Sequence, residues 1–203
     1  MKLLIATNNP GKLREIQALL SGLPLELITP AAAGLQLEVD ESGATYAENA
    51  ALKARAFAEA SGLVSLADDS GLEVDALGGE PGIRSARYAP QPGASDADRR
   101  AYLLERLRGI PHPTGEPGWR AHFHCTVAIA TPGGQVDFAE GRCDGFIIGE
   151  ERGTHGFGYD PLFFMPEWNA TMAELSEETK NQISHRARAL RNALPILLNL
   201  LRE

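Results

Sequence analysis

The first twenty residues, MKLLIATNNPGKLREIQALL, constrain the fold more than any other segment of the chain. Residues 2–7 form a short apolar run typical of a buried strand, and Leu13, Ile16 and Leu20 then recur at helical spacing. The TNNPGK segment between them is therefore predicted to be a strand-to-helix turn, followed by a further strand over 25–29. Strand, helix and strand at this spacing indicate an α/β fold.

The TNNPGK turn also suggests a site for an anion. We expect such a turn to present free backbone N–H groups and the positive end of a helix dipole beside Lys12. Asn, Pro and Gly are also the usual residues of tight turns without a function, and neither the Walker nor the dinucleotide-binding glycine pattern is present. The turn by itself leaves both interpretations open.

Length, charge and cysteine content exclude several classes of protein. The 203 residues fit one large domain, or two closely packed lobes, and the net charge of −8 argues against a nucleic-acid partner. No apolar run approaches the roughly 18 residues of a membrane helix, and no signal-peptide pattern is present, so we expect a cytoplasmic protein with no membrane partner. Cys125 and Cys143 lack metal-site or disulfide spacing and are expected to be buried, while His122 and His124 are expected on an exposed hairpin face.

Capping residues and alternating patterns predict the other elements. Thr45 and Glu48 match a capping box at the start of an Ala-rich helix, and Ser95 is the expected cap of a second helix. Residues 120–143 alternate on either side of a Pro-Gly-Gly turn and predict a hairpin. Thr171 and Glu174 form a further candidate capping box ahead of the C-terminal helical region.

Residues 63–82 are predicted to form two short strands interrupted by DDSG, and the ADDSG segment at 67–71 places Asp68 and Asp69 at the end of the first strand. Side chains alternate along a strand, so only one of the two carboxylates can face a given pocket. A carboxylate here can bind Mg²⁺ or polarise a water molecule, although a plain turn explains the same letters equally well. Glu41 and Lys53 add charges on the preceding segment and helix.

Two segments of the C-terminal half suit a ligand with a planar ring. Phe157 can stack on a base while Asp160 hydrogen-bonds to the edge of that base. A loop whose aromatic residues cap the core has the same composition. Lys180, His185 and Arg186 lie just before or within a helix, where a solvated basic face is the usual alternative.

Seven motifs in order resemble the inosine/xanthosine triphosphate pyrophosphatase family, whose members remove deaminated purine nucleotides from the triphosphate pool. The motifs are TNNPGK, ENAALKAR, ADDSGL, GGEPGIRSARY, FHC, GFGYDPLF and SHRARAL, and they extend over almost the whole chain. The resemblance implies a single catalytic unit over residues 1–203, built on a long mixed central sheet whose flanking helices form two lobes around a substrate cleft. It also implies Mg²⁺ as cofactor, a nucleoside triphosphate as substrate, and a homodimer.

The same resemblance implies roles for individual residues. Asp69 would activate water, and Glu41 and Asp69 would hold Mg²⁺. The residues expected to bind the substrate are Thr7, Asn8, Asn9, Pro10, Gly11, Lys12, Lys53, Ser70, Phe157, Gly158, Tyr159, Asp160, Lys180, His185 and Arg186. Those up to Lys53 would hold the phosphates, and those from Phe157 onward the base.

Arg186 is expected to favour 6-oxo purines over adenine, because its guanidinium group can only donate hydrogen bonds. His185 is expected to act near the 2-position of the base. One alternative is a pyrophosphatase for modified pyrimidine or methylated nucleotides, which would not need Phe157, Asp160 and Arg186 arranged for a purine. A second is a nucleotide-sensing module without turnover, which the acids at positions 41 and 69 argue against.

Overall fold

The computed structural model describes residues 1–202, which form a mixed sheet and its flanking helices. The strands are β1 (Lys2–Ile5), β2 (Glu26–Ile28), β3 (Val64–Val74), β4 (Trp119–Ala130), β5 (Val136–Ile147), β6 (Phe163–Met165) and β7 (Ala170–Thr171). The helices are α1 (Pro10–Leu20), α2 (Tyr46–Ser61), α3 (Asp96–Leu107), α4 (Glu177–Ile183) and α5 (His185–Leu200).

The strands form one sheet in the order β2-β1-β3-β4-β5-β6-β7. Strand β1 is parallel to both β2 and β3, with Leu4 opposite Ile28 on one side and Ser65 on the other. Strand β6 is antiparallel to both β5 and β7. The mixed α/β sheet predicted from the sequence is therefore confirmed.

The chain divides into two compact units, and the division falls within β3, β4 and β5. Unit 1 comprises residues 1–69 and 125–141 and the C-terminal residues from 185 onward. Its sheet is covered on both faces. One face carries α1 and α5, through Leu3, Ile5, Ile16, Leu20, Leu66, Val127, Ile129, Leu190 and Leu197. The other carries α2, through Leu4, Ala6, Ala50, Ala54, Phe57, Ala67, Ala128 and Ala130. Small residues on α2 and on this face allow the helix to lie close to the sheet.

Unit 2 comprises residues 70–124 and 142–184 and has a core of its own. That core consists of Leu72, Val74, Leu103, Leu107, Ala121, Phe123, Cys143, Ile147, Tyr159, Leu162, Phe163, Met165, Met172 and Leu175. Helix α3 supplies Leu103 and Leu107, so its apolar stripe is buried while the opposite face carries charged side chains. The turn that follows β5 supplies Tyr159.

Local capping signals predicted two helix starts correctly and one incorrectly. Thr45 and Ser95 are the N-caps of α2 and α3, and each side-chain oxygen accepts a hydrogen bond from a backbone N–H of the first turn. Thr171 does not cap a helix, because it lies in β7, and the N-cap of α4 is Ser176. Glu174 accepts a hydrogen bond from the backbone N–H of Thr171, so the capping-box letters close a turn at that point.

Both cysteines are buried, as expected, and neither forms a disulfide. The expectation for His122 is wrong, because the side chain is buried and its Nε2 lies 3.2 Å from a carboxylate oxygen of Glu73. Within residues 1–202, no helix is both long and apolar enough to span a membrane.

Candidate functional site

Asp68 and Asp69 lie inside one continuous strand, β3, and not in a break between two strands. The prediction of two strands interrupted by DDSG is therefore wrong, because these residues extend as one strand that lies between β1 and β4 in the sheet. The alternation of side chains along β3 sends the two carboxylates to different partners, as expected.

Asp68 is the centre of a buried group of charges in unit 1. Its side chain is 0% exposed, and its Oδ2 lies 3.1 Å from Lys12 Nζ. Arg186 donates to the same oxygen through Nε at 3.2 Å and Nη2 at 3.1 Å. Burial alone would raise the pKa of the Asp68 carboxyl, but the charges of Lys12 and Arg186 outweigh it and hold that pKa well below its usual range. Asp68 is therefore a carboxylate that holds two cations in place.

Glu15 joins this group, and no sequence argument singled it out. Its Oε2 accepts a short hydrogen bond from Arg186 Nη1, and its side chain is 13% exposed. Glu15 lies one turn after Lys12 on α1, so the helix that follows the TNNPGK turn contributes both an anion and a cation to the group. Arg186 is thus held between two carboxylates, and its guanidinium is not part of a solvated basic face.

Asp69 belongs to a second group of charges in unit 1, on the side of α2. Asn49 Nδ2 donates to Asp69 Oδ2 at 3.2 Å. Lys53 Nζ lies 3.5 Å from Asp69 Oδ1 and 2.6 Å from Glu41 Oε1. Burial raises the pKa of the Asp69 carboxyl, and Lys53 only partly offsets this effect. A carboxylate with a raised pKa is suited to accepting a proton from water.

Asn49 is a further residue that the sequence analysis did not single out. It is fully buried on α2, and its Oδ1 accepts a hydrogen bond from Gly43 N at 2.8 Å. A side chain on Gly43 would clash with Asn49, because a Cβ there would lie 2.7 Å from Asn49 Oδ1. The available signal was an amide within an Ala-rich helix, where asparagine is an unfavourable choice unless its side chain has a partner.

The pair of Glu41 and Asp69 can hold a divalent cation. Both carboxylates lie against the ammonium group of Lys53, so their oxygens already converge on one positive charge. Mg²⁺ in phosphate-handling sites is usually held by one or two carboxylates together with phosphate oxygens. Nowhere in residues 1–202 do three or more His, Cys, Asp or Glu side chains form a ready-made metal cluster.

The structure corrects the expectation that the TNNPGK turn offers free amides. Asn9 is the N-cap of α1, and its Oδ1 accepts hydrogen bonds from the N–H groups of Gly11 at 2.9 Å and Lys12 at 3.1 Å. Pro10 has no N–H group. Asn8 donates from Nδ2 to the carbonyl of Leu37 at 3.2 Å. An anion here would meet the Lys12 side chain and the exposed surface of residues 8–10, while Thr7 is half-buried beside them.

A third group lies in unit 2, in the turn formed by Phe157, Gly158, Tyr159 and Asp160. Asp160 Oδ2 accepts hydrogen bonds from Phe157 N at 2.9 Å and from Lys180 Nζ at 2.6 Å. Lys180 Nζ also lies 4.9 Å from the centroid of the Phe157 ring. The hydroxyl of Tyr159 donates to the carbonyl of Ser85 at 2.9 Å.

This turn has little freedom to change shape. A Cβ on Gly156 would lie 2.1 Å from Asp160 Oδ2, and its φ of +77° is favourable only for glycine. Asp160 and Lys180 are both buried, so the predicted alternative of a solvated lysine does not hold here. The turn therefore holds an aromatic ring and a carboxylate next to the ammonium group that Lys180 supplies from α4.

The remaining residues predicted to bind the substrate lie on different elements. Ser70 follows Asp69 on β3 and is half-buried. His185 is the first residue of α5 and is buried. Lys180 pairs with Asp160 in unit 2, whereas Arg186 pairs with Asp68 in unit 1, so each unit contains its own part of the predicted set.

The fold and these groups define an α/β protein in which lysines and an arginine pair with buried carboxylates. The chain belongs to the Ham1 family, whose family model matches residues 3–196. It is 48% identical to the dITP/XTP pyrophosphatase of Desulforamulus reducens over 202 residues, which cover 98% of this chain and 97% of that protein. It is 50% identical to the dITP/XTP pyrophosphatase of Geobacter sulfurreducens over 189 residues, which cover 93% and 92% of the two chains. A structure of a HAM1 protein from Coxiella burnetii superposes with a TM-score of 0.86 at 38% identity, covering 98% of this chain and 99% of that one.

Proposed function

We propose that this protein hydrolyses deaminated purine nucleoside triphosphates, such as ITP, dITP and XTP, to the nucleoside monophosphate and pyrophosphate. The observation that carries the proposal is the Asp69 group, in which a buried carboxylate of raised pKa lies beside Lys53 and Glu41. Near-complete coverage by relatives named dITP/XTP pyrophosphatase supports the choice of substrate. Hydrolysis would keep these purines out of DNA and RNA.

Asp69 would act as the general base. It would accept a proton from a water molecule whose oxygen forms the new bond to the α-phosphorus. The bond from that phosphorus to the bridging oxygen breaks, and pyrophosphate leaves with the electron pair. Asn49 fixes the orientation of the carboxylate through the hydrogen bond at 3.2 Å.

Unit 1 would bind the phosphates. Lys12 lies beside Asp68 and Lys53 beside Asp69, and both lysine side chains are mostly buried, at 16% and 14% exposed. Glu41 and Asp69 would hold Mg²⁺, which when bound neutralises phosphate charge. The exposed residues Asn8, Asn9 and Pro10 lie at the start of the helix that carries Lys12, where an anion is favoured electrostatically.

Unit 2 would bind the base. Phe157 offers a ring on which a purine can stack, and Lys180 places a hydrogen-bond donor beside that ring. Inosine and xanthosine present a 6-oxo acceptor, whereas adenosine presents a 6-amino donor that Lys180 cannot pair with. Arg186 was expected in this role and donates to Asp68 and Glu15 in unit 1, whereas Lys180, which donates to Asp160, is the cation that lies beside the Phe157 ring.

We further propose that residues 1–203 act as one catalytic unit, that the protein is a homodimer and that it acts in the cytoplasm. The homodimer follows from the family resemblance of the sequence motifs. The cytoplasm follows from the proposed substrates, since the triphosphates used for DNA and RNA synthesis are held there.

A substrate panel tests the proposal. Pyrophosphate release should be measured with ITP, XTP, GTP, ATP and dTTP, in the presence of MgCl₂ and after chelation with EDTA. We expect release from ITP and XTP, no orthophosphate, and loss of activity on chelation that added MgCl₂ restores. Preference for dTTP or another pyrimidine would support the alternative pyrophosphatase, and tight binding without release would support a nucleotide sensor.

A further inference from the structure

Helix α3 holds both backbone polar groups of Gly158, the central glycine of the Phe157–Asp160 turn. Gly158 N donates to Asp96 Oδ2 at 2.7 Å, and Arg100 Nη1 donates to the Gly158 carbonyl oxygen at 2.9 Å. Asp96 and Arg100 are four residues apart and therefore lie on the same face of α3. One face of α3 thus forms hydrogen bonds with both the N–H and the carbonyl group of a single residue of the turn.

The side chains of Asp96 and Arg100 are themselves held in place by ion pairs. Asp96 forms a short ion pair with Arg99, and Arg100 forms an ion pair with Glu151 at 2.9 Å. The Arg100 side chain is only 13% exposed. Hydrogen bonds with a charged partner are stronger than those between neutral groups. The contacts to Gly158 therefore hold its backbone more firmly than ordinary turn hydrogen bonds do.

The helix does not need Asp96 for its own cap. Ser95 is the N-cap of α3, and the capping box is completed by Asp98, whose Oδ2 accepts from the backbone N–H and the hydroxyl of Ser95. Two acidic residues of the same helical turn thus have separate tasks. Asp98 stabilises the helix, whereas Asp96 reaches out to the turn.

Gly158 has no side chain that could hold its backbone in place. It adopts a φ of +63°, in the left-handed region that glycine tolerates best. Its immediate neighbour Phe157 carries the ring proposed to stack on the base, and Asp160 follows two residues later. The position of that ring depends on the backbone that Asp96 and Arg100 hold.

We propose that Asp96 and Arg100 are positioning residues that set the affinity of this protein for the base of its substrate. The inference rests on the proposed role of the Phe157–Asp160 turn in base binding. It predicts that loss of either hydrogen bond between α3 and Gly158 weakens binding of the whole nucleotide but leaves binding of a base-free phosphate chain unchanged.

The first measurement is hydrogen–deuterium exchange of peptides that cover residues 156–160, without any ligand. Asp96→Ala and Arg100→Ala should speed exchange in these peptides by about tenfold, since each removes one charge-assisted hydrogen bond. Asp98→Ala is the matched control. It should lower Tm by a few degrees through loss of the cap, but leave exchange at 156–160 unchanged.

The second measurement is steady-state kinetics with ITP and Mg²⁺. Asp96→Ala and Arg100→Ala should raise KM about tenfold with kcat within about twofold, and Arg100→Lys should recover part of the loss. The inhibition constant of inorganic tripolyphosphate, which has no base, should stay within about twofold of wild type in every variant. Asp98→Ala should keep the wild-type KM.

Three results would overturn the inference. One is unchanged hydrogen–deuterium exchange at residues 156–160 in both Asp96→Ala and Arg100→Ala. Another is faster exchange with an unchanged KM, which would mean that the turn is held but does not govern base binding. The last is an equal weakening of tripolyphosphate, which would point to a general structural effect. Phe157→Ala distinguishes failure of this inference from failure of the proposed base site. An unchanged KM in Phe157→Ala would show that the turn does not bind the base.

Discussion

Replacement of the two adjacent aspartates of β3 by asparagine should have different consequences: loss of stability at Asp68 and loss of turnover at Asp69. Asp68→Asn should destabilise the protein, because its carboxylate is fully buried and pairs with Arg186, whose side chain is 2% exposed, and with Lys12. Removing one member of a buried ion pair typically costs about 3–5 kcal/mol. Arg186 keeps its contact with Glu15, which places the expected loss near the lower end, at about 3 kcal/mol. For a chain of this size that loss lowers Tm by about 6–12 °C.

Asp69→Asn should abolish turnover and leave the fold intact. An asparagine oxygen can still accept the hydrogen bond from Asn49, and Lys53 keeps Glu41 at 2.6 Å. Burial already disfavours the charged form of Asp69, since it raises the pKa of that carboxyl. We therefore expect a stability change below about 1 kcal/mol. Loss of a general base should lower kcat by about 10²–10⁴-fold.

Thermal unfolding followed by circular dichroism, together with pyrophosphate release from ITP, measures both effects in the same preparations. Asp144→Asn is the control, because this carboxylate is 68% exposed and its ion pair with Arg142 should contribute almost nothing. The reasoning is refuted if Asp68→Asn melts within about 2 °C of wild type, or if Asp69→Asn loses as much stability as Asp68→Asn. Wild-type activity of Asp69→Asn would remove its catalytic role.

Five further variants test the remaining groups of unit 1. Lys12→Ala and Lys53→Ala should lower kcat/KM for ITP and XTP by similar factors, because both lysines are expected to meet phosphate charge; a strong change in the ratio of the two substrates would place that lysine at the base. Asn49→Ala should lower kcat about tenfold or more with little change in KM, since it removes the amide that orients the catalytic carboxylate, and an unchanged kcat in single-turnover assays would contradict this role. Arg186→Lys should lower Tm, because a single ammonium cannot serve two carboxylates as a guanidinium does, and Glu15→Gln should lower it less; the opposite order would show that the contact with Glu15 is the stronger one.

Much of the fold could be predicted because its signals are local. The strand, turn and helix of the N-terminus, the caps Thr45 and Ser95 and the hairpin of β4 and β5 all follow from patterns within about a dozen residues. One error arose where neighbours distant in sequence overrode the local signal. The ADDSG segment has the composition of a turn, yet it is part of a continuous strand within the sheet.

The candidate site was predicted in its residue types but not in its pairings. Lys53 and Glu41 were assigned to phosphate and metal, and the structure brings them together with Asp69. Glu15 was missed because nothing in a single sequence distinguishes a helical Glu with a buried partner from an exposed one. Asn49 was missed because an amide within an Ala-rich helix signals a partner without identifying it. Their partners lie on other elements, so only the packing of α1 and α2 against the sheet reveals them.

The sequence by itself determined the elements of this protein, the residue types of its chemistry and, through seven ordered motifs, its family resemblance, because all of these reside in local order and composition. Only the tertiary structure decided which charges meet. Arg186 and Asp68 are 118 positions apart, and Gly158 is 62 positions from Asp96. The energy of such contacts depends on distance and burial, which no local pattern specifies, so the different partners of the two adjacent aspartates emerge only from the folded chain.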